Sequence, residues 1–147
     1  MAMLISGLAF MGCYSVEENI KIYHHILNLY SSLFVDGDYG FYFSRMYQYS
    51  EILSRKYAEI KDRDNCIKHL KNASEYAARF DNLGKEIIKH TSLLVNRTED
   101  DPSGFMVTGT NNRCKDLLLS SKTAAYDFVR EDKEFIEIQK ELERRAN

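Results

Sequence analysis

Hydrophobic side chains recur along most of this chain at the three- and four-residue intervals of an α-helix face. The first stripe begins after Ser15, which stands three residues before Glu18 in the arrangement of a capping box. Because the polar strip that remains is narrow, the sequence predicts a helix that is packed on both sides. The apolar positions of this stripe are Ile20, Tyr23, Leu27, Tyr30 and Phe34, widened by Ile22, Ile26, Leu29 and Leu33.

Further helices follow, separated by short polar breaks. The first stripe ends at Asp36-Gly37-Asp38, and Asp38 is predicted to cap a helix whose apolar stripe runs from Phe43 to Ile60. Residues 97–112 are rich in Gly, Thr, Asn and Asp and are predicted to be the only long loop. No segment has a reliable strand pattern. The remaining predicted helices cover residues 2–12, about 64–80, 85–96, 113–121 and 132–145, the last with Phe135, Ile138 and Leu142 inward.

The composition fits a single globular domain over residues 1–147. Hydrophobic residues make up 44% of the chain and charged residues 29%, so the chain has the apolar content that a core requires. One proline and seven glycines are few for the many tight turns of a β-sandwich or barrel. The formal net charge of −2 lacks the excess of basic residues expected of a nucleic-acid-binding domain. We therefore expect an all-α fold.

The cellular location follows from cysteine usage and from the apolar runs. Three widely spaced cysteines are an odd number, which argues against a disulfide framework and favours the cytoplasm. The first thirteen residues are apolar but lack the basic start of a signal peptide. No apolar run reaches the roughly 18 residues that span a bilayer, so no membrane association is predicted.

Residues 47–80 match the pattern of a helix–turn–helix repeat of 34 residues. Small residues let the two helices of such a repeat approach, and large residues fill the groove between them. Residues 1–34 fit the same pattern less well, with Gly7, Phe10 and Ile26 at its key positions. We predict antiparallel helix hairpins stacked as a tetratricopeptide-like right-handed solenoid, capped by the helix at 132–145. The matched positions in residues 47–80 are Leu53, Ser54, Tyr57, Cys66, Leu70 and Ala73.

Four strings along the chain resemble the C-terminal half of bacterial, Firmicutes-type helix-turn-helix transcriptional regulators of the XRE class. The resemblance covers nearly the whole chain, although each string is short. The strings are Asp36-Gly37-Asp38-Tyr39-Gly40-Phe41-Tyr42, the hairpin at 47–80, Thr91-Ser92-Leu93-Leu94-Val95-Asn96, and Phe128-Val129-Arg130-Glu131-Asp132-Lys133-Glu134-Phe135.

The resemblance implies a cytoplasmic regulator in which an N-terminal DNA-binding domain precedes a tetratricopeptide-like region. This chain has no DNA-binding helix-turn-helix pattern, and its abrupt apolar start suggests the C-terminal part of a longer protein. DNA would then be bound only through an upstream domain. We expect a homodimer, because such regulators read two half-sites. The expected role is oligomerisation or the sensing of a protein or short peptide.

Candidate catalytic and metal-binding residues are few. Cys66 and His69 stand three apart on one predicted helix, as half of a metal site would, but no second pair is present. The adjacent His24 and His25 point about 100° apart on a helix and are poorly placed to share a ligand. Neighbouring carboxylates stand at helix starts or in loops, where capping explains them. We predict no catalytic residue, no cofactor and no metal site.

One helix face is the candidate partner site. In tetratricopeptide-like units the first helix of each pair lines the concave surface. The polar residues on that face of the 43–60 helix offer donors and acceptors suited to an extended peptide backbone. The predicted partner-binding residues are Arg45, Gln48, Glu51, Arg55 and Glu59.

Two other functions are compatible with the same sequence. A free-standing tetratricopeptide adaptor would bind a protein partner with no link to DNA. An enzyme on a helical scaffold would need a cofactor, a metal ion or a deep pocket that joins Cys66, His69 and distant acidic residues.

Overall fold

The computed structural model describes residues 13–102 and 112–147, and these parts of the chain are mostly helical, which confirms the predicted all-α class. No helix within them is both long and apolar enough to cross a membrane. In chain order the elements are α1 (Val16–Leu33), a 3₁₀ turn (Gly40–Tyr42), α2 (Phe43–Glu59), α3 (Arg63–Asp81), β1 (Ile88–Lys89), β2 (Glu99–Asp100), α4 (Arg113–Ser121), a 3₁₀ turn (Ala124–Val129) and α5 (Lys133–Ala146).

The helix starts follow their capping residues. Ser15 and Glu18 form the predicted capping box, with the Ser15 hydroxyl accepting from the Glu18 N–H at 3.2 Å and the Glu18 carboxylate accepting from the Ser15 N–H at 2.8 Å. Asp62 caps α3 by accepting from the Asn65 N–H at 3.1 Å. The prediction that Asp38 caps α2 is wrong. This helix follows the 3₁₀ turn directly and has no side-chain cap, and Asp38 accepts from the Gly40 N–H instead.

Helices α2 and α3 form the hairpin that the repeat pattern predicts. Only three residues connect them, which forces an antiparallel arrangement. Ser54, Cys66 and Ala73 are fully buried between them, as small residues that allow close approach. The Ser54 hydroxyl also donates to the Cys66 carbonyl at 2.9 Å, so this buried polar side chain is satisfied within the hairpin.

Each helix packs against the next along the chain, and α3 also contacts α5. One core cluster joins α1 to α2, and a second joins α2 and α3 to α4, the second 3₁₀ turn and α5. At the edge of the second cluster the Arg63 guanidinium bridges Asp132 at 2.7 Å and Glu134 at 2.8 Å, which ties the start of α3 to the start of α5. The predicted inward residues of the last helix, Phe135, Ile138 and Leu142, are buried.

The predicted helix over residues 85–96 is wrong, and so is the expectation that the chain has no strand. Ile88–Lys89 is β1, which pairs antiparallel with β2, so that Ile88 faces Asp100 and Lys89 faces Glu99. This segment contains several β-branched residues, which are weak helix formers, and tertiary contacts decide its conformation. The predicted loop over 97–112 is likewise interrupted at its start by β2.

Some predictions concern parts of the chain that lie outside the described residues. These are the helix over 2–12, the positions Gly7 and Phe10 of the first predicted repeat, and residues 103–111 of the predicted loop.

The ribbon segment, which we define as residues 88–100, docks on the connection between α1 and α2. The Ser92 hydroxyl accepts from the Val35 N–H at 2.8 Å, and the Thr91 hydroxyl donates to the Asp36 carboxylate at 2.6 Å. Two of the four strings that carry the family resemblance, 36–42 and 91–96, are therefore in contact.

A buried pair holds the ribbon segment from inside. The His90 Nε2 atom lies 2.9 Å from Asp100 Oδ2, and both side chains are almost completely enclosed. The His90 ring packs against Phe34 with a centroid distance of 5.0 Å. Gly40 has a positive φ of 52°, and a Cβ atom there would lie 2.9 Å from His90 Cε1. The glycine thus allows the connection to approach this pair.

The Asp81 carboxylate joins the end of α3 to the start of α4. Its two oxygens accept from the backbone N–H groups of Arg113 at 2.7 Å and Cys114 at 2.9 Å. Asn112 accepts from the next N–H, that of Lys115, at 2.8 Å. The first N–H groups of α4 are thereby satisfied, and a negative charge stands at the positive end of its dipole.

Replacing Asp81 with Ala should lower the free energy of unfolding by about 2 kcal/mol, because two N–H groups lose a charged acceptor. Asp81→Asn, which keeps one acceptor oxygen, should lose less. Urea unfolding followed by far-UV circular dichroism measures both, since the chain has no tryptophan. The control is Asp64→Ala at an exposed carboxylate that pairs with Arg63, where a loss below about 0.5 kcal/mol is expected. Equal losses at the two positions would contradict the assigned role of Asp81.

Gly40→Ala should destabilise the protein more than Gly37→Ala. Both glycines have positive φ, so an alanine costs about 1 kcal/mol of backbone strain at either position. Only at Gly40 does the new methyl group also collide with His90, because no atom lies within 4 Å of the equivalent point at Gly37. The difference between the two variants in thermal unfolding measures this collision. Equal melting temperatures of the Gly40→Ala and Gly37→Ala variants would show that His90 of the ribbon segment is not in close contact with Gly40.

Candidate functional site

The five predicted partner-binding residues lie on α2, and the structure joins four of them in two pairs. The Arg45 guanidinium donates to the Gln48 side-chain carbonyl at 3.1 Å. Arg55 Nη1 lies 3.7 Å from the Glu51 carboxylate. Glu59 joins neither pair, because its carboxylate binds Lys56 Nζ at 2.8 Å.

Glu51 connects this strip, residues 45, 48, 51, 55 and 59, to α4. The Ser120 hydroxyl donates to the Glu51 carboxylate at 2.6 Å. The Glu51 side chain is only 14% exposed, whereas that of Arg55 is 55% exposed. The centre of the strip is therefore partly closed by α4, and its exposed charges are those of Arg55 and Glu59.

The strip carries both hydrogen-bond donors and hydrogen-bond acceptors. Its guanidinium groups donate hydrogen bonds, and its carboxylates and the Gln48 amide oxygen accept them. Such a mixture matches a peptide backbone, in which N–H and C=O groups alternate. The strip is thus suited to recognition by hydrogen bonding.

A second polar cluster, the histidine cluster, consists of His24 on α1, Tyr57 on α2 and His69 on α3. His24 Nε2 and the Tyr57 hydroxyl oxygen lie 2.9 Å apart. The Tyr57 and His69 rings are stacked with centroids 5.5 Å apart and an angle of 4°, and the His24 and His69 rings meet edge to face at 5.0 Å. The cluster forms where three helices meet.

The sequence pattern explains the burial of His69 but not its neighbours. His69 precedes Leu70 on the buried face of α3, so helical periodicity alone predicts an enclosed side chain. His24 and Tyr57 come from other helices, and no spacing within one helix reveals that they meet His69. His24 is partly buried, whereas the adjacent His25 is exposed.

Burial, together with the nearby His24 and Lys68, lowers the pKa of His69 to about 4. Burial, followed by Lys68 and His25, also lowers the pKa of His24. Neither ring nitrogen of His69 has a hydrogen-bond partner, so the fold holds a neutral imidazole with no group to stabilise its charged form.

Cys66 and His69 do not form half of a metal site in the described ranges. Cys66 Sγ lies 3.6 Å from the Ser54 hydroxyl, and burial raises the pKa of its thiol. Within residues 13–102 and 112–147 no group of three or more His, Cys, Asp and Glu side chains is arranged to hold a metal ion.

A charged groove between α3 and α5 has no counterpart in the sequence prediction. It consists of two adjoining hollows of about 250 and 600 Å³ that share Glu75 and Arg145. Cys114 lines the larger hollow, where burial and the neighbouring Asp81 raise the pKa of its thiol to about 12. The thiol is therefore protonated at neutral pH and is a poor nucleophile.

No protein-family model, curated protein or solved structure matches this chain. The resemblance to XRE-class regulators therefore stays an expectation drawn from its four short strings.

The free energy of unfolding should decrease as the pH falls from 6.5 towards 4. The folded state keeps His69 neutral in this range, whereas the unfolded chain takes up a proton near the ordinary pKa of 6.5. The contribution of the neutral His69 to the free energy of unfolding is complete above pH 6.5 and is lost by about pH 4. Between these values the free energy of unfolding falls with a limiting slope of about 1.4 kcal/mol per pH unit. Urea titrations over this range measure it.

His69→Leu should flatten this pH dependence, because the variant has no imidazole to protonate at that position. The matched control is His25→Leu, which removes an exposed histidine from α1 and should keep the wild-type profile. A wild-type slope in His69→Leu would contradict the role given to His69.

Proposed function

We propose that this chain is a non-catalytic regulatory and protein-interaction domain of a bacterial transcriptional regulator. In this proposal the helices form a tetratricopeptide-like right-handed solenoid over residues 1–147, capped by α5. The domain acts in the cytoplasm as a homodimer and senses a protein or a short peptide. Contact with DNA is made by an upstream domain.

The observation that carries the proposal is the way two helix pairs meet. The α2–α3 hairpin has an interface of small residues, the α4–α5 pair packs on α3, and Glu51 of α2 binds Ser120 of α4. Glu51 and Ser120 belong to the first helices of the two pairs. In a stacked repeat, first helices line one common surface, which supports the strip on α2 as the partner site.

The contact between residues 36–42 and 91–96 adds support to the family resemblance. These two strings are far apart in sequence, yet the hydrogen bond from Thr91 to Asp36 joins them, and the hydrogen bond from Val35 to Ser92 joins the residue just before the first string to the second. Strings that form one unit are expected to occur together.

Regulation would follow from a difference in binding free energy. A bound peptide stabilises the conformation of the domain in which Arg45 and Arg55 contact it. The positions of the upstream DNA-binding domains then change with that conformation. No chemical step is needed, so the domain would work with a neutral His69 and with protonated thiols at Cys66 and Cys114.

The test uses peptides selected from a random displayed library against the wild-type protein. The variant Arg45→Glu/Arg55→Glu should weaken their binding at least about tenfold, because two hydrogen-bond donors of the strip become acceptors. Isothermal titration calorimetry measures the affinities.

The control for this test is Lys133→Glu/Lys140→Glu, which makes the same change of charge on the exposed face of α5. Its affinities should equal those of the wild type. Unchanged affinity in the α2 variant, or an equal loss in both variants, would overturn the strip as the partner site.

A further inference from the structure

We infer that the charged groove between α3 and α5 binds a small zwitterion, in which an alkyl chain joins a primary ammonium group to a carboxylate. The ammonium group occupies the smaller hollow of the groove and the carboxylate lies in the larger one. An aliphatic ω-amino acid is the simplest ligand of this class. The inference goes beyond the proposed function and does not depend on it, because no residue of the strip on α2 lines either hollow.

The smaller hollow, of about 250 Å³, has two carboxylates without a cationic partner. Four glutamates line it, and two of them are neutralised: Glu134 binds Arg63 at 2.8 Å, and Glu141 binds two arginines of its own helix. Glu75 on α3 and Glu137 on the opposite wall, α5, form no ion pair within the described ranges. The hollow therefore has negative charge available for a cationic ligand.

The Ser74 hydroxyl adds a third acceptor to the lining of the same hollow. Ser74 is only 5% exposed, yet its hydroxyl has no hydrogen-bond partner in the part of the chain that the structure describes. A buried hydroxyl without a partner is uncommon in folded proteins, because leaving it unsatisfied costs free energy. A primary ammonium group has three N–H donors, which equals the number of acceptors that Ser74, Glu75 and Glu137 provide.

The rest of this lining favours an ammonium group on an alkyl chain over a bare cation. Ile138 is buried and gives the hollow an apolar surface, which suits the methylene groups next to an ammonium group. The described residues contain no group of three or more His, Cys, Asp and Glu side chains placed to hold a metal ion. Lys71 also lines the hollow, but its ammonium forms no ion pair with a described carboxylate, so it does not neutralise Glu75 or Glu137.

The larger hollow, of about 600 Å³, determines the second charged group of the ligand. Three arginines line it, and one of them, Arg79, forms no ion pair with any carboxylate among the residues described. Its guanidinium carbon lies 5.4 Å from the Phe43 ring centroid. Asp81 of the same lining already accepts from two N–H groups of α4. A ligand carboxylate can therefore pair with Arg79, whereas a second ammonium group would be repelled.

The geometry of α3 sets the length of the ligand. Glu75 and Arg79 are four residues apart, which places them on one face of the helix and about 6 Å apart along its axis. They nevertheless form no ion pair with each other in the structure. A five-carbon ω-amino acid in its extended form separates its two charged groups by about the same distance. One ligand can thus pair with both side chains.

The test is titration of the full chain with δ-aminovalerate at constant ionic strength, followed by the chemical shifts of the backbone amides. So small a ligand should bind with a dissociation constant on the order of 1 mM. Pentanoate and pentylamine each lack one charged group and should bind at least about tenfold more weakly. Pentylamine also represents the lysine side chain of a partner protein. Cadaverine, a diamine, should bind weakly because Arg79 repels its second ammonium group.

Variants locate the two ends of the ligand. Glu75→Gln/Glu137→Gln should weaken the binding of δ-aminovalerate at least about tenfold, because it removes both charges and keeps the shape of the side chains. The matched control is Glu131→Gln/Glu143→Gln, which removes the same charge at exposed positions outside both hollows and should keep the wild-type affinity. Lys71→Gln should strengthen binding, because it removes a cation that competes for the same carboxylates. Far-UV circular dichroism checks that each variant is folded.

Each outcome decides the inference. Saturable shifts along α3 and α5 that are lost in the first variant and kept in its control support the site. The absence of a saturable shift at about 50 mM δ-aminovalerate overturns it, and so does an equal loss of affinity in the control. Pentylamine or cadaverine binding as tightly as δ-aminovalerate overturns the zwitterion. None of these outcomes affects the strip on α2, whose binding of peptides is tested separately.

Discussion

The Asp81 carboxylate is the contact on which the arrangement of the two helix pairs depends. It stands at the last residue of α3 and binds the first two N–H groups of α4, thirty-two and thirty-three residues further on. A helix end has N–H groups that need acceptors, and here a neighbouring helix supplies them. The second helix pair thereby begins beside the end of the first.

The core has small residues between α2 and α3 and aromatic rings where these helices meet α1. Ser54 and Cys66 are fully buried in the α2–α3 hairpin, while Tyr57 and the imidazoles of His24 and His69 lie at the junction with α1. A neutral His69 provides aromatic surface there at the expense of unsatisfied nitrogens. The junction is thus well packed while His69 is neutral, and it has no acceptor that would stabilise a protonated His69.

Helical periodicity predicted α1, α2, α3, α4 and α5, because it is a local property of the chain, and the capping box of Ser15 and Glu18 predicted the start of α1. Periodicity wrongly predicted a helix over 85–96. The segment contacts Gly40 and Asp100, which are distant in sequence and which no local pattern reveals. On α2 the face of the strip was predictable from spacing, but the partial closure of Glu51 by Ser120 was not. The histidine cluster was missed for the same reason: its three rings come from three helices.

Sequence separation governs the order in which these parts assemble. The α2–α3 hairpin closes through Ser54 and Cys66, which are twelve residues apart, whereas the ribbon segment docks through Ser92 and Val35, which are fifty-seven apart. Closing the longer loop loses more chain entropy before any contact forms, so the hairpin forms early and the ribbon segment docks late. We expect the ribbon segment to open while the hairpin stays closed, so that its backbone amides exchange with solvent before those of α2 and α3.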